Sequence, residues 1–317
     1  DGLVLNARSA YTTPVSGGVT DLGDLTLRLG KVWDGGGGTD NWNTPANWSD
    51  DVLPNAEDDV YLPVTATVRS SHYTTINSLR SDGRLSVTSG QLTLIQDGIL
   101  RNNLTLQYGD LRAGDAVTVT GAFSWTSGTL GGPGRVVVEG NLDLDGESPL
   151  LEGTVLVNRG AAIWRAGTFY LTDGAIFENA AGATLEVSAN ANLWHYYNIG
   201  ATPRLRNLGI LTKTAASRLE VLVPFENGGA VSLVAGELLL GTAVSQTRAM
   251  TEADRATLRF QNNATGVIAA DSVVTGDGTV IVNNYNAGGR LLAFAGRYEL
   301  TGATQMLNGT AIVSPTA

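Results

Sequence analysis

Four segments of this chain line up without a gap. LSVTSGQL at 85–92, LTLQYGDL at 104–111, FSWTSGTL at 123–130 and LDLDGESP at 142–149 follow one another at a step of 19 residues. After one extra residue the phase returns, because WRAGTF at 164–169 matches WTSGTL at 125–130 across 39 residues, two steps plus one. A fixed period of this size decides the architecture before any single residue does.

Each unit alternates apolar and polar residues with period two and then breaks at Gly, Asp or Asn, which is a short strand followed by a turn. Helical periodicity is missing except in MTEADRATL at 250–258, where Thr251 is expected to cap a turn of helix ahead of Glu252 and Asp254. A propeller blade needs about 40 residues, and a sandwich has no reason to keep register between successive strands. In a parallel β-helix each coil lies ~4.8 Å above the last, so equivalent positions must recur once per coil. The chain is therefore expected to be all-β and to fold as a parallel β-helix. Over residues 60–313 a step near 20 gives roughly a dozen coils and a rod on the order of 60 Å.

Further along the step loosens, but a second mark persists. FENAAG at 177–182, FENGG at 225–229 and FQNNATG at 260–266 share an aromatic two residues before Asn, and VNRG at 157–160 and RNLG at 206–209 are shorter versions. Asn and Gly tolerate left-handed backbone, and stacked Asn side chains can hydrogen-bond along a fibre axis. These positions read as corners of the coil, a structural role rather than a catalytic or glycan-binding one.

The run GDLRAGDAVTVTGAFSWTSGTLGGPGRVVVEGNLDL, the later FYLTDGAIFENAAGATLEV, and the Trp-rich segment VWDGGGGTDNWNTPANWSDDVLPNAEDDVYLP at 32–63 resemble the repeat regions of large bacterial surface and autotransporter-like adhesins. The resemblance spans residues 32–313 and implies a right-handed β-helix on the bacterial cell surface or otherwise outside the cell. No translocator barrel or sorting tail accompanies it. Three segments are expected: a strand extension or linker at 1–30, an irregular Trp-rich cap at 31–63, and the β-helix at 64–317.

Composition narrows the partners. With 20 basic against 30 acidic residues the net charge is −10, and only Lys31 and Lys213 are lysines. A phosphate-backbone partner needs clustered Lys and Arg, so nucleic acid is excluded. The chain has no cysteine, hence neither disulfides nor thiolate metal sites. The opening DGLVLNARSA has no basic or apolar leader region, so any signal peptide is expected to be gone. No apolar window is long enough for a membrane span, and a soluble chain is expected.

Several residues could carry chemistry. NLDLDGESPLLE at 141–152 fits the calcium-loop template at every position but the first, which makes Asn141, Asp143, Asp145 and Glu152 a calcium candidate. The repeat, however, turns Leu142 and Leu144 inward and sends Asn141, Asp143 and Asp145 outward from one strand, whereas a calcium loop curls around its ion between two helices. A solvated acidic edge is the favoured reading, and no other cofactor is expected.

Trp33, Trp42 and Trp48 surround a Gly- and Asn-rich loop. They could stack on sugars or close the end of a solenoid, and closure is favoured because large aromatics bury area cheaply in an irregular segment. NLWHYYNIG at 192–200 holds Trp194, His195, Tyr196 and Tyr197, which cannot all face inward from a strand. At least one ring is expected to stand exposed in a loop leaving the coil, suited to glycan or protein contact; an expanded turn packed on the side of the helix is the competing reading.

The catalytic inventory is thin. His72 and His195 are far apart in sequence, G-x-S-x-G and H-E-x-x-H are missing, and Arg135, Glu139, Arg165 and Glu186 are scattered. The favoured function is an extracellular structural or adhesive rod whose partners are further copies of itself or adjacent modules. A carbohydrate-binding module is the alternative, and a polysaccharide-degrading enzyme a more distant one.

Overall fold

The computed structural model of the chain describes residues 5–8, 26–146, 148–198, 200–247, 250–253, 255–261, 264–283, 292–308 and 311–313. From Lys31 onward it is a solenoid of about 11 turns, and its deepest face stacks 14 strands, ~60 Å at one strand spacing each. Each regular turn contributes one short strand to each of three faces. In one turn these are Ser78–Ser81 on the first face, Arg84–Val87 on the second and Gln91–Leu94 on the third. The first face alone is a 14-stranded sheet running from Lys31–Val32 to Ala311–Val313, and every pairing within the solenoid's named strands is parallel.

The step appears directly as register. Leu85, Leu104, Phe123 and Leu142 are successive partners on the second face, as are Val87, Leu106, Trp125, Leu144 and Trp164. All nine side chains are buried, because alternation turns every second residue of a strand inward and the coil above repeats the same phase. The aromatic members pack together: Phe169 lies 5.1 Å from Trp125, 6.0 Å from Trp164 and 5.4 Å from Phe177 between ring centroids.

The third face departs from the expected spacing in two successive coils, and Phe169 does not take the position of Leu130 that the 39-residue match gave it. Pro149 does not take the position of Leu130; Leu151 does, followed by Leu171. Proline has no N–H to donate to a ladder, so the chain widens the corner and starts pairing at Leu150. The next coil then runs as one strand, Ala161–Thr172, serving the second and third faces in turn.

Two further expectations are corrected. Met250–Ala253 is a strand, paired with Ala230–Leu233 on one side and Val273–Gly276 on the other. Ladder bonds on both sides override the weak local preference for helix. FQN at 260–262 differs from its two namesakes: Phe260 lies on the third face, between Leu240 and Val282, while Asn262 lies outside the described residues.

The strands expected near the start are present as Leu5–Arg8 and Thr26–Leu29. They pair with each other, antiparallel, in a two-stranded sheet of their own. At the far end Arg297–Leu300, Ala303–Asn308 and Ala311–Val313 each pair on one side only among the described residues. Met306 and Leu307 stand exposed there.

Candidate functional site

The Trp-rich segment closes one end of the stack. Trp33, Trp42 and Trp48 are all buried, with Trp48 edge-on to both others at 5.1 and 4.8 Å. The Trp48 indole N–H donates to the carbonyl of Trp42 at 2.8 Å. Buried Asn47 ties the loop by donating to the carbonyls of Thr39 and Asn41 at 3.1 and 3.0 Å. Glycine is required beside it, since a Cβ on Gly37 would meet the Asn47 Oδ1 at 2.8 Å. The loop joins the second face where Trp42 N–H donates to Arg69 O and Arg69 N–H to Asp40 O. None of the three indoles offers a sugar an open face, so saccharide stacking at Trp33, Trp42 and Trp48 is set aside in favour of end closure.

Asn141–Asp145 and Leu150–Glu152 are both strands, as the repeat requires. Leu142 and Leu144 are buried; Asn141 and Asp145 are exposed and Asp143 is half-buried. Asp143 is paired with Arg165 at 2.9 Å. Glu152 ends the strand Leu150–Glu152 on the third face and is paired with Arg112. That arginine comes from two coils away and crosses directly above Gly131, where a Cβ would sit 2.5 Å from its Nη1. The four calcium candidates are thus split between two faces. Among the described residues, no group of three or more His, Asp or Glu side chains could hold a metal ion.

The third face carries the aromatic cluster. Trp194 follows Tyr170 in register, their rings 6.3 Å apart. Tyr196 is 5.4 Å from Tyr170, and Tyr197 is 4.5 Å from Tyr196, all edge to face. The Trp194 indole donates to Glu220 Oε2 at 3.0 Å, and Asn192 donates to the Thr168 hydroxyl at 3.2 Å. Tyr197 is 77% exposed and sits in left-handed backbone at φ 46°. The expected exposed ring is therefore Tyr197, in a turn that leaves the coil. Trp194, His195 and Tyr196 are half-buried beneath it. Tyr170 and Glu220 are the members that sequence inspection missed; each is more than twenty residues from Trp194 and only the coil register brings them alongside.

On the first face the Asn corners form a ladder. Asn158 donates to Asn179 Oδ1 at 2.9 Å, Asn179 to Asn207 at 2.8 Å and Asn207 to Asn227 at 2.8 Å. Each donor amide also reaches a backbone carbonyl, of Thr184, Ile210 and Ala230 respectively. All four side chains are buried. Just outside, Arg206 bridges Glu178 at 3.2 Å and Glu226 at 3.0 Å, and Arg204 joins Glu226 at 3.1 Å. Burial pushes the Glu226 carboxyl up, but hydrogen bonds from Arg206 and Arg204 outweigh it and hold the group below its ordinary range. A shallow hollow of about 210 Å³ lies here, lined by Arg206, Leu208, Glu226, Ser245 and Thr247.

Lys213 lies inward between Val187 and Leu233 on the second face and is fully buried. Its ammonium donates to the Ala215 carbonyl at 2.7 Å and the Ser217 hydroxyl at 3.2 Å. Burial lowers its pKa. The two histidines are separated along the axis: Tyr73, beside His72, is six coils below Trp194, beside His195, hence ~29 Å away. No helix among the described residues is long and apolar enough to cross a membrane.

No protein-family model matches the chain, and no curated protein or solved structure matches it either. The likeness to bacterial surface adhesins rests on the repeat and the Trp-rich segment alone.

Proposed function

We propose that this chain is an extracellular structural or adhesive rod, displayed on a bacterial surface, that extends by end-to-end association. The observation that carries the reading is the uninterrupted parallel stack from Lys31 to Val313, closed by buried tryptophans at one end and one-sided at the other. A stack of this kind delivers length and stiffness, since each coil touches only its neighbours. Absence of cysteine and a net charge of −10 suit a surface rod outside the cell.

The one-sided strands at 297–313 are a template for strand addition. The next strands come either from further coils of the same chain or from a neighbouring copy, and the second arrangement is heterologous and builds filaments. The hairpin of Leu5–Arg8 and Thr26–Leu29 supplies strands outside the solenoid that can reach such an edge.

The test compares the parent, a form lacking residues 1–30, and a Met306→Lys/Leu307→Lys double variant by light scattering and electron microscopy. Lysine on an exposed edge blocks pairing. End-to-end particles are expected for the parent and monomers for both altered forms. A parent that stays monomeric at high concentration overturns association and leaves a rod whose next coils are its own. Surface labelling of producing cells checks the location.

A further inference from the structure

The coil between Asn179 and Asn207 spans 28 residues, against 19 in the regular coils. The largest share of the surplus lies in the turn after His195 that carries Tyr196 and Tyr197, and this turn is clamped in place: Gly174 N–H donates to Ala201 O at 2.7 Å, and Gly200 packs so close to Asp173 that a Cβ there would lie 1.8 Å from its carboxylate. The excursion is built, not merely accommodated.

Its tip combines strain with exposure. A bulky side chain at positive φ is strained, and Tyr197 combines that backbone with a ring that is 77% exposed. Tyr108 shares both properties, at φ 62° and 75% exposure, yet has no ring contact among the described residues. Tyr197 differs in having Tyr196, Tyr170 and Trp194 braced behind it edge to face. Beside those rings lie hydrogen-bonding groups from three coils: the Thr168 hydroxyl, the Asn192 amide and the Glu220 carboxylate, whose Oε2 holds Trp194.

We propose that this strip of the third face is a saccharide-binding site. A pyranose ring has one face of C–H groups that lies against an aromatic ring and an equator of hydroxyls that needs donors and acceptors at its edge. Exposed Tyr197 supplies the first; Glu220 and Asn192 supply the second. The polar groups Thr168, Asn192 and Glu220 lie in register over three successive coils, ~10 Å along the axis and longer than one sugar, so the ligand is an oligosaccharide. With a carboxylate in the site and a net charge of −10, it is a neutral or amino sugar chain, not an acidic one. The site gives the adhesive reading a ligand class, and it stands or falls separately from end-to-end association.

Trp194 makes the test direct. Of the six tryptophans, Trp33, Trp42, Trp48, Trp125 and Trp164 are buried, so a fluorescence change on titration reports Trp194. The probes are soluble oligosaccharides of glucose, galactose and N-acetylglucosamine, with a polygalacturonate oligomer as the acidic control. Saturable change with at least one neutral series is expected, weakened about tenfold in Tyr197→Ala and unaltered in Tyr108→Ala, with the melting curve of both variants like the parent's. Glu220→Gln should weaken binding without abolishing it. The proposal is overturned if no neutral series changes the fluorescence, if Tyr197→Ala binds as the parent does, or if only the acidic control or an unstructured peptide binds.

Discussion

Two stretches of the same solenoid keep their strands in register by different means. Between Leu85 and Leu144 the coils are of equal length and the buried row at the end of the first face is apolar, with Leu100, Val119 and Val138 stacked in turn. From Asn158 to Asn227 the same row is asparagine, and the coils run 21, 28 and 20 residues. Apolar contact is non-directional, so a stack of Leu and Val holds phase only while each coil repeats the last. Amide hydrogen bonds are directional, and a buried amide left unpaired is costly. The ladder therefore fixes register at one point per coil and frees the remainder to vary; loop closure penalises the extra residues only slowly. The excursion that presents Tyr197 lies between two ladder members, Asn179 and Asn207.

The largest expected effect follows from cutting the ladder. Asn179→Ala removes an acceptor from Asn158 and a donor from Asn207 and Ile210, which should cost about 3 kcal/mol in denaturant unfolding. Val119→Ala, one row position in the regular coils, should cost about 2 kcal/mol from lost burial and the small cavity. The ladder is no register device if Asn179→Ala proves the milder of the two.

Acid should act on both stretches through one carboxylate each. Asp82 beside the regular coils is raised by burial and lowered more by Arg101 and Tyr61, so that it ends below its ordinary value, as Glu226 does beside the ladder. A carboxyl depressed in the folded state contributes stability that is present above its unfolded pKa and lost as pH falls through the folded one. Urea midpoints should therefore hold at neutral pH and drop below about pH 4. Arg206→Gln lets Glu226 return toward its ordinary value and should flatten that drop; an unchanged acid profile would remove Glu226 from the account.

The junction between the two stretches carries the smallest effect. Asp143 and Glu152 are already engaged by Arg165 and Arg112. EDTA should leave the melting temperature unchanged, and a decrease reversed by calcium would show that Asn141, Asp143, Asp145 and Glu152 hold an ion after all.

Much of this architecture is legible in the residues themselves. The step is visible from Leu85 to Leu144 because inward positions repeat in kind, and the corners at Asn158, Asn179, Asn207 and Asn227 are marked by the Gly that soon follows. What stays hidden is whatever the stacking decides. Met250–Ala253 carries good helix formers and becomes a strand because ladders lie on both sides. TKTAAS at 212–217 looks like a polar loop, yet Lys213 enters the core because its amine meets carbonyl and hydroxyl oxygens at the turn. Arg112 reaches Glu152 across 40 residues, a separation that carries no local signal. The aromatic site divides the same way: Trp194 to Tyr197 are conspicuous as a run, whereas Tyr170 and Glu220 join them only through register.

The inter-coil hydrogen bonds of the solenoid run along its axis, and the asparagine amides run with them. A pull on the two ends of the rod therefore loads each coil boundary in tension, with the bonds of three faces strained together instead of being peeled one at a time. Where the ladder is present, the amide bond adds a fourth point of attachment at the corner, close to the 28-residue coil and the turn that displays Tyr197. A ligand tugging on that turn would draw on the most firmly riveted part of the shaft, and rupture should begin in coils on either side of it.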